Sequence, residues 1–344
     1  MSKGILSPRA KRVILTVLCV ILAIVIVLVL VGTAYAKYLL SLIQRNPDDS
    51  TISSEEYQAF INSQTDENDP DFTGPTIDPG DVNLEVNTEE VVDDAHIINL
   101  MLVGQDRYSG NIRQRSDVMI LCSINTETKD IKLISFMRDL YVAIPGYDDN
   151  RMNATYAFGG IKLLSKCMET NFGIHIDGTL VVDFQRFENV IDMMGGVDLY
   201  LANSEANHMV NTYKVSVQEG MNHLDGKAAL AYVRNRTTGN GDFSRTERQR
   251  KLLGALLEKC KTMSLSQLKN LTETILPLIT TDMTDRQIVD YTADILPIVG
   301  QLKLTTQRIP ADNTYQYASI RGMSVLVPDL EANRKLLKEF LGNE

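Results

Sequence analysis

The sequence has no tryptophan, and only four histidines and four cysteines in 344 residues. His175, His208 and His223 are scattered along the chain, with no Ser-His-Asp order, no CxxC and no Cys/His metal spacing. A zinc centre and a nucleophilic triad or thiol are therefore not expected. Cys19 lies in an apolar run, which leaves Cys122, Cys167 and Cys260; an odd number makes a poor disulfide scaffold, and all three are expected to be small buried hydrophobes. Charge of one sign is missing in two places. Residues 1–45 hold six Lys/Arg and no acid, and residues 46–95 hold fifteen Asp/Glu and no base. From residue 96 onward 28 basic side chains face 29 acidic ones, so the formal net charge of −10 belongs to one segment. A near-neutral main region lacks the broad basic face that nonspecific duplex binding needs, and no nucleic acid partner is expected.

Charge of either sign is absent from Val13 to Ala36. As a helix these 24 residues would span about 36 Å, enough for a bilayer core. Lys3, Arg9, Lys11 and Arg12 precede the run and only Lys37 and Arg45 follow it, which places the N-terminus in the cytoplasm and the rest outside. Ala34-Tyr35-Ala36 resembles a signal-peptide cleavage site, but the apolar run exceeds an ordinary signal core and reads as an uncleaved anchor. The organisation expected is a cytoplasmic tail at 1–12, a transmembrane signal-anchor at 13–36, an acidic extracellular linker at 37–95 and a domain at 96–344, in a single-pass membrane protein.

Within the linker the segment DENDPDFTGPTIDPGD is too poor in apolar residues for a core, with a short helix expected at Ser53–Ile61. The pattern changes at His96. IINLMLV, ending at Gly104, VMILCSI (118–124) and IKLISF (131–136) read as buried strands, the last two joined by the polar turn NTETKD. Helices are expected at Tyr156–Phe172 and Arg186–Met194, and strands at Thr179–Phe184 and Val197–Leu201. Later segments read as mostly helical: Gly226–Val233, Phe243–Met263, Leu265–Leu278, Arg286–Val299 and Leu330–Leu341. The alternation indicates a layered α/β fold around a mostly buried sheet.

Two windows hold ten of the eighteen arginines. The first contains Arg107, Arg113, Arg115, Arg138 and Arg151, with Asp106 and Asp117; the second contains Arg234, Arg236, Asp242, Arg245, Arg248, Gln249 and Arg250. Guanidinium forks match phosphate oxygens, so clustered arginine indicates a phosphate or pyrophosphate. Gly104 is expected to turn the chain sharply at a strand end, the usual place for ligands in an α/β sheet, and to bring Asp106 near Asp117. Two close carboxylates call for a cation between them, and Mg²⁺, which accepts few protein ligands, fits best. Asp139 is a candidate partner for Arg138, and Asn153 a candidate helix cap beside Arg151. Asp242, Arg245 and Gln249 are spaced to share one helical face, with Arg248 beside the row and Arg250 pointing elsewhere into solvent. The Gly239-Asn240-Gly241 loop is expected to let backbone approach a phosphate. The bland alternative is that these are charges on solvated faces.

The ordered blocks LVGQDR, RSDVMILCSIN, ISFMRDLYVAIPG, RMNATYAFGG, MMGGVDLY, LDGKAALAYVRNR and DFSRTERQR make the chain similar to the LytR-CpsA-Psr family of bacterial cell-envelope proteins, over roughly residues 96–262. TTDMTDRQIVDYTADIL and GMSVLVPD resemble its C-terminal part. The resemblance implies a three-layer α-β-α sandwich with a central mixed sheet, preceded by a single transmembrane helix, and an apolar groove for a lipid tail. It implies a transferase that moves a glycopolymer or its precursor from an undecaprenyl-pyrophosphate carrier to peptidoglycan through a phosphodiester link. By the same resemblance, Asp106 and Asp117 would hold Mg²⁺. Arg107, Arg115 and Arg138 would meet the phosphates, and Arg234, Arg236, Asp242, Arg245 and Gln249, with Arg248, the second half of the site. Phe136-Met137 stands where the family usually has Ile-Pro, and Arg151 where a Lys is common.

Attack by a sugar hydroxyl on a diphosphate needs neutralisation of the leaving phosphate more than covalent help, which arginines and a metal supply. Asp106 or Asp242 is a candidate base. A polyprenyl-pyrophosphate hydrolase, with water as acceptor, would use the same site. A non-catalytic envelope regulator is the third reading.

Overall fold

The computed structural model describes residues 34–45, 51–62, 74–89, 91, 94–105 and 115–342. Among them no helix is long and apolar enough to cross a membrane. The expected anchor lies outside the described residues except for its last three, which begin helix α1 (residues 34–42). Strand β1 (Gln44–Arg45) and helix α2 (Ser54–Asn62) follow, and then the three long strands β2 (Ile97–Gln105), β3 (Ser116–Asn125) and β4 (Asp130–Phe136). A short hairpin of β5 (Tyr141–Val142) and β6 (Asn150–Arg151) leads into α3 (Met152–Phe172). Next come β7 (Gly178–Asp183), α4 (Phe184–Met193), β8 (Val197–Leu201), α5 (Asn203–His208), β9 (Gly220–Leu224), α6 (Gly226–Arg234), α7 (Gly241–Thr262) and α8 (Leu265–Ile275). The chain ends with β10 (Thr280–Thr281), α9 (Asp285–Ile295), β11 (Lys303–Ile309), β12 (Tyr315–Ile320), β13 (Met323–Pro328) and α10 (Leu330–Leu341).

The central sheet has the order β1-β10-β7-β2-β3-β4-β11. It is mixed: β2 and β4 run antiparallel to β3, whereas β7 and β11 run parallel to β2 and β4. Alternate residues feed opposite layers, as the two-residue period of a strand requires. Met101, Val103, Met119 and Leu121 pack with α3 and α10 on one face. Leu100, Leu102, Val118, Ile120 and Cys122 face the other, against Leu253 and Leu257 of α7 and Ile295 of α9. Both faces are covered, which is why β2 and β3 read as continuous apolar runs. A side cluster joins α4, α6 and the β8–β9 hairpin, and the β12–β13 hairpin closes over Tyr141.

Several expectations change. Beyond residue 300 the chain is not mostly helical, because β11 extends the sheet and β12–β13 form a separate hairpin. Gly104 makes no sharp turn; β2 continues to Gln105 with a register shift, and a Cβ on Gly104 would come within 2.9 Å of the Val118 Cβ. Close strand packing, rather than turning, is what calls for glycine there. Asn153 does not cap α3, whose N-cap is Arg151 without a side-chain bond. Residues 51–62 and 74–89, expected as linker, pack on the domain. Ile52, Tyr57, Phe60 and Ile61 join the core, and Thr76 bridges Ser319. The anchoring point is a kink in α3, where Gly159 and Gly160 leave helical geometry. The kink frees the Phe158 carbonyl, which accepts from Ile52 N at 3.0 Å and from the Tyr147 hydroxyl at 3.3 Å. Cys122 and Cys167 are buried, each thiol pushed up to about 12 by burial, and Cys260 is half-buried.

Candidate active site

The N-terminal turns of α7 lie beside the ends of β3 and β4. Asp242, in the first turn of α7, gathers three arginines: it accepts from Arg138 Nε at 2.8 Å and Arg245 Nη2 at 3.1 Å, and Arg236 Nε stands 3.3 Å away. Arg138, just past β4, also donates to Asp117 at 3.0 Å and to Asp139 at 3.3 Å. Arg236 reaches Asp117 at 3.7 Å, and Asp139 faces Arg151 at 3.9 Å. Both sequence windows therefore contribute to one network. Asp117, Arg234, Arg236, Arg245 and Gln249, with Tyr213 and Val233, line a cavity of about 310 Å³.

The electrostatics favour an anion. Burial would raise the Asp242 carboxyl, but Arg245, Arg138 and Arg236 outweigh it and hold it below the usual carboxylate range. Burial works against the charge on Arg138, but Asp139, Asp242 and Asp117 overcome it and raise its affinity for the proton. Burial pulls the Arg245 guanidinium down to about 10, still charged at neutral pH, with Asp242 as its main compensation. Arg245 is 3% exposed and its Nε is buried with no hydrogen-bond partner among the described residues, so a donor is left unsatisfied at the cavity. Around the network, among the described residues, Arg138, Arg151, Arg234, Arg236 and Arg245 outnumber Asp117, Asp139 and Asp242 by two positive charges.

Not every nominated residue joins the cavity. Asp106 and Arg107 lie outside the described residues, as does Arg113. Arg115 stands over the Phe60 ring at 4.7 Å instead of lining the cavity. Arg248, expected to meet phosphate, is committed to the protein: its guanidinium donates to Glu205 at 2.7 Å, the Asn235 carbonyl at 2.8 Å and the Thr238 carbonyl at 2.7 Å. It holds the loop before α7 in shape. That loop contains Gly239, at positive φ like Gly241 at the start of α7, and its backbone turns to Arg248 and Ser244. Arg250 is not solvated but 8% exposed, on the face of α7 towards β11. Asp242, nominated as a base, is saturated with guanidinium and is a poor proton acceptor; it organises arginines instead. At the Phe136-Met137 departure, Phe136 packs on Phe172 and Met137 N bonds the Ile309 carbonyl, and Arg138 follows directly into the network. Tyr213, which ends a π-helical turn at Met209–Tyr213, carries no sequence signal and was missed. His175 and His223 pair with Glu169 and Asp198, away from the network.

For a divalent ion, the described residues include no group of three or more candidate ligands. Asp117 fits a hard cation in part: it is a carboxylate lining the cavity and about a quarter exposed. Asp242 does not, because three guanidinium groups already surround it, whereas Asp117 meets Arg138 and, more distantly, Arg236.

From α7 a second feature runs downward. Arg245, Gln249, Leu253 and Leu257 recur every four residues and share one face. The row passes from the cavity into the apolar layer, where Leu253 and Leu257, like Val118, Leu100 and Leu102, pack against the cluster of Ile120, Cys122 and Leu133. From Val118 to Ile124 this layer extends about 20 Å. Near its far end a cavity of about 260 Å³ opens between Leu100 and α9, lined by Ile288, Tyr291 and Ile295 among others.

Comparison with known proteins agrees with this architecture. The LytR_cpsA_psr family profile matches residues 56–339. The regulatory protein MsrR of Staphylococcus aureus (strain Mu50) is 30% identical over 251 residues, 72% of this chain and 75% of MsrR. The polyisoprenyl-teichoic acid–peptidoglycan teichoic acid transferase TagT of Bacillus subtilis (strain 168) is 32% identical over 173 residues, 48% of this chain and 53% of TagT. A solved structure described as TagT bound to LIIa-WTA superposes with a TM-score of 0.60 at 25% identity, covering 81% of this chain and 97% of that one. With the family profile spanning most of its length, the mixed-sheet α/β chain belongs to the LytR-CpsA-Psr family.

Proposed function

We propose that this protein transfers a glycopolymer, or its precursor, from a polyprenyl-pyrophosphate carrier to a hydroxyl of peptidoglycan. The observation that carries the reading is the α7 row, which turns from arginine and glutamine at a positively charged cavity to leucine over an apolar layer. A ligand with a pyrophosphate head and a long hydrocarbon tail matches that polarity change. The names of the relatives, a teichoic acid transferase and TagT in complex with LIIa-WTA, support the same class.

In this reading Arg236, Arg245 and Gln249 hold the pyrophosphate, and Asp242 and Asp117 hold the arginines in position. The acceptor hydroxyl oxygen attacks the phosphorus next to the polymer, forming one P–O bond. The bond from that phosphorus to the bridging oxygen breaks, and polyprenyl monophosphate leaves with the electron pair. The hydroxyl proton passes to the departing phosphate. Such loose transfers depend on stabilising negative charge, the task of preorganised guanidinium groups. Asp117, with Asp106, is the proposed holder of a Mg²⁺, which when bound would add neutralisation of phosphate oxygens. The proposed setting is a single-pass membrane protein anchored by residues 13–36, with the domain outside.

The test uses the full chain in detergent with lipid-linked polymer, peptidoglycan and Mg²⁺. Polymer covalently linked to peptidoglycan is expected; free phosphorylated polymer with no linkage would replace transfer by hydrolysis. Leu257→Gln is expected to weaken binding of a long-chain polyprenyl pyrophosphate by about tenfold while leaving inorganic pyrophosphate unaffected. Equal loss for both ligands would remove the apolar layer from the donor site.

A further inference from the structure

Helix α7 presents a second arginine face. Phe243 and Arg250 lie seven residues apart, nearly eclipsed on a helix, and turn from the cavity towards the end of β11. Arg250 Nε and Nη1 are buried without a hydrogen-bond partner among the described residues. Its nearest compensating acid, Glu247, is itself paired with Lys251 at 2.8 Å, and Arg308 adds a like charge beside it. Burial accordingly draws the Arg250 guanidinium down to about 10. A buried cation with two idle donors next to another cation is costly, and a bound anion would relieve both defects.

An aromatic stack begins at the same place. The Arg308 guanidinium, held by the Pro310 carbonyl and Asp312, stands 4.4 Å over the Phe243 ring. Phe243 stacks on Tyr315 with centroids 5.6 Å apart, and Tyr315 meets Tyr317 edge-on at the same separation. Tyr317 is 41% exposed, so the stack leads from solvent to Phe243, the chain neighbour of Asp242. The donor pocket described above uses none of these side chains. Carbohydrate rings present C–H faces of slight positive character, which suit the negative faces of aromatic rings. A carboxylate suits paired guanidinium groups.

Resting on the transfer reading, we propose that Tyr317, Tyr315 and Phe243, with Arg308 and Arg250, form the subsite for the acceptor, a glycan strand bearing carboxylates. The aromatic rings take the sugar faces, and the two arginines take a carboxylate. The hydroxyl then arrives beside Asp242 and the phosphate held by Arg245.

The test uses the full chain in detergent and soluble uncrosslinked peptidoglycan fragments, with carboxylates either free or amidated. Binding is followed by calorimetry and transfer by acceptor KM. Tyr317→Ala, a surface change, is expected to weaken fragment binding and raise acceptor KM by about tenfold, with affinity for a short-chain polyprenyl pyrophosphate unchanged. Tyr317→Phe should behave as wild type. Arg250→Gln should erase the preference for free over amidated fragments, a readout that a folding defect alone would not produce. Fragment binding weakened by Tyr317→Ala without any transfer would sink the transfer reading and leave the subsite. Transfer with unchanged KM in Tyr317→Ala, or no fragment binding by wild type, would overturn the subsite.

Discussion

Asp242 and Asp139 are carboxyl groups of one network whose proton affinities are displaced in opposite directions. Arg245, Arg138 and Arg236 hold the Asp242 carboxyl below its ordinary range against the effect of burial. Its contribution to stability is therefore present above the unfolded carboxylate value of about 4 and lost as pH falls through the lower folded value. Burial raises the Asp139 carboxyl, with Arg138 offsetting only part of the effect. Its contribution is present below the unfolded value and lost as pH rises through the folded one. Asp242→Asn is expected to cost about 3 kcal/mol at neutral pH by leaving guanidinium groups without their counter-charge. The cost should shrink below about pH 4 and be partly recovered by added inorganic pyrophosphate. Asp139→Asn should leave neutral-pH stability unchanged or higher. Thermal unfolding across pH, with and without pyrophosphate, checks both, and a pH-independent Asp242→Asn deficit would refute the assignment. At this scale the sequence exposed the arginine face of Asp242, Arg245 and Gln249 because it is local to one helix. It hid the burial of Arg250, whose charged neighbour Arg308 lies far along the chain.

Helix α6 ends in Arg234 and starts at Gly226, against the backbone of α4. A Cβ at Gly226 would run into the Glu188 carbonyl oxygen, and only a shift of one helix relieves that contact. Gly226→Ala is therefore expected to destabilise the protein by about 3 kcal/mol and to displace Arg234 from the cavity, weakening pyrophosphate binding. Gly300, with open space where its Cβ would stand, is the control, and Gly300→Ala should stay within about 0.5 kcal/mol of wild type. Denaturant melts and pyrophosphate titrations of both variants check this; equal effects would show that the α4–α6 contact does not set the position of Arg234. Elements buried on both faces were legible as apolar runs, and β2, β3 and β4 all fall where the pattern puts them. The strand β11 was not, because KLTTQRI lies at a sheet edge with much of its surface exposed and shows no clean alternation. Nor does the five-residue β9 carry a local strand signal.

At the scale of the whole molecule, charge is partitioned into a basic N-terminus, an acidic segment and a neutral domain, but packing does not follow that partition. Composition alone made residues 46–95 a linker, since so few apolar residues build no core of their own. Those few are supplied to a core that already exists. Tyr57 and Phe60 set their rings against Phe158 with centroids 5.2 and 4.8 Å apart, and Ile52 N satisfies the carbonyl freed at the α3 kink. The same segment brings Phe60 under Arg115, which ties it to the start of β3. A fragment beginning at residue 91 should therefore be less stable than one beginning at residue 51 by about 3 kcal/mol. For a domain of this size that corresponds to about 6–12 °C in Tm. Phe60→Ala in the longer fragment should reproduce part of the loss, because it removes the ring without removing the Ile52 bond. Scanning calorimetry of the three proteins distinguishes the alternatives. Coincident melting would return the segment to the role of a linker, whereas graded melting would make it part of the fold that holds Arg115 and packs on the α3 kink.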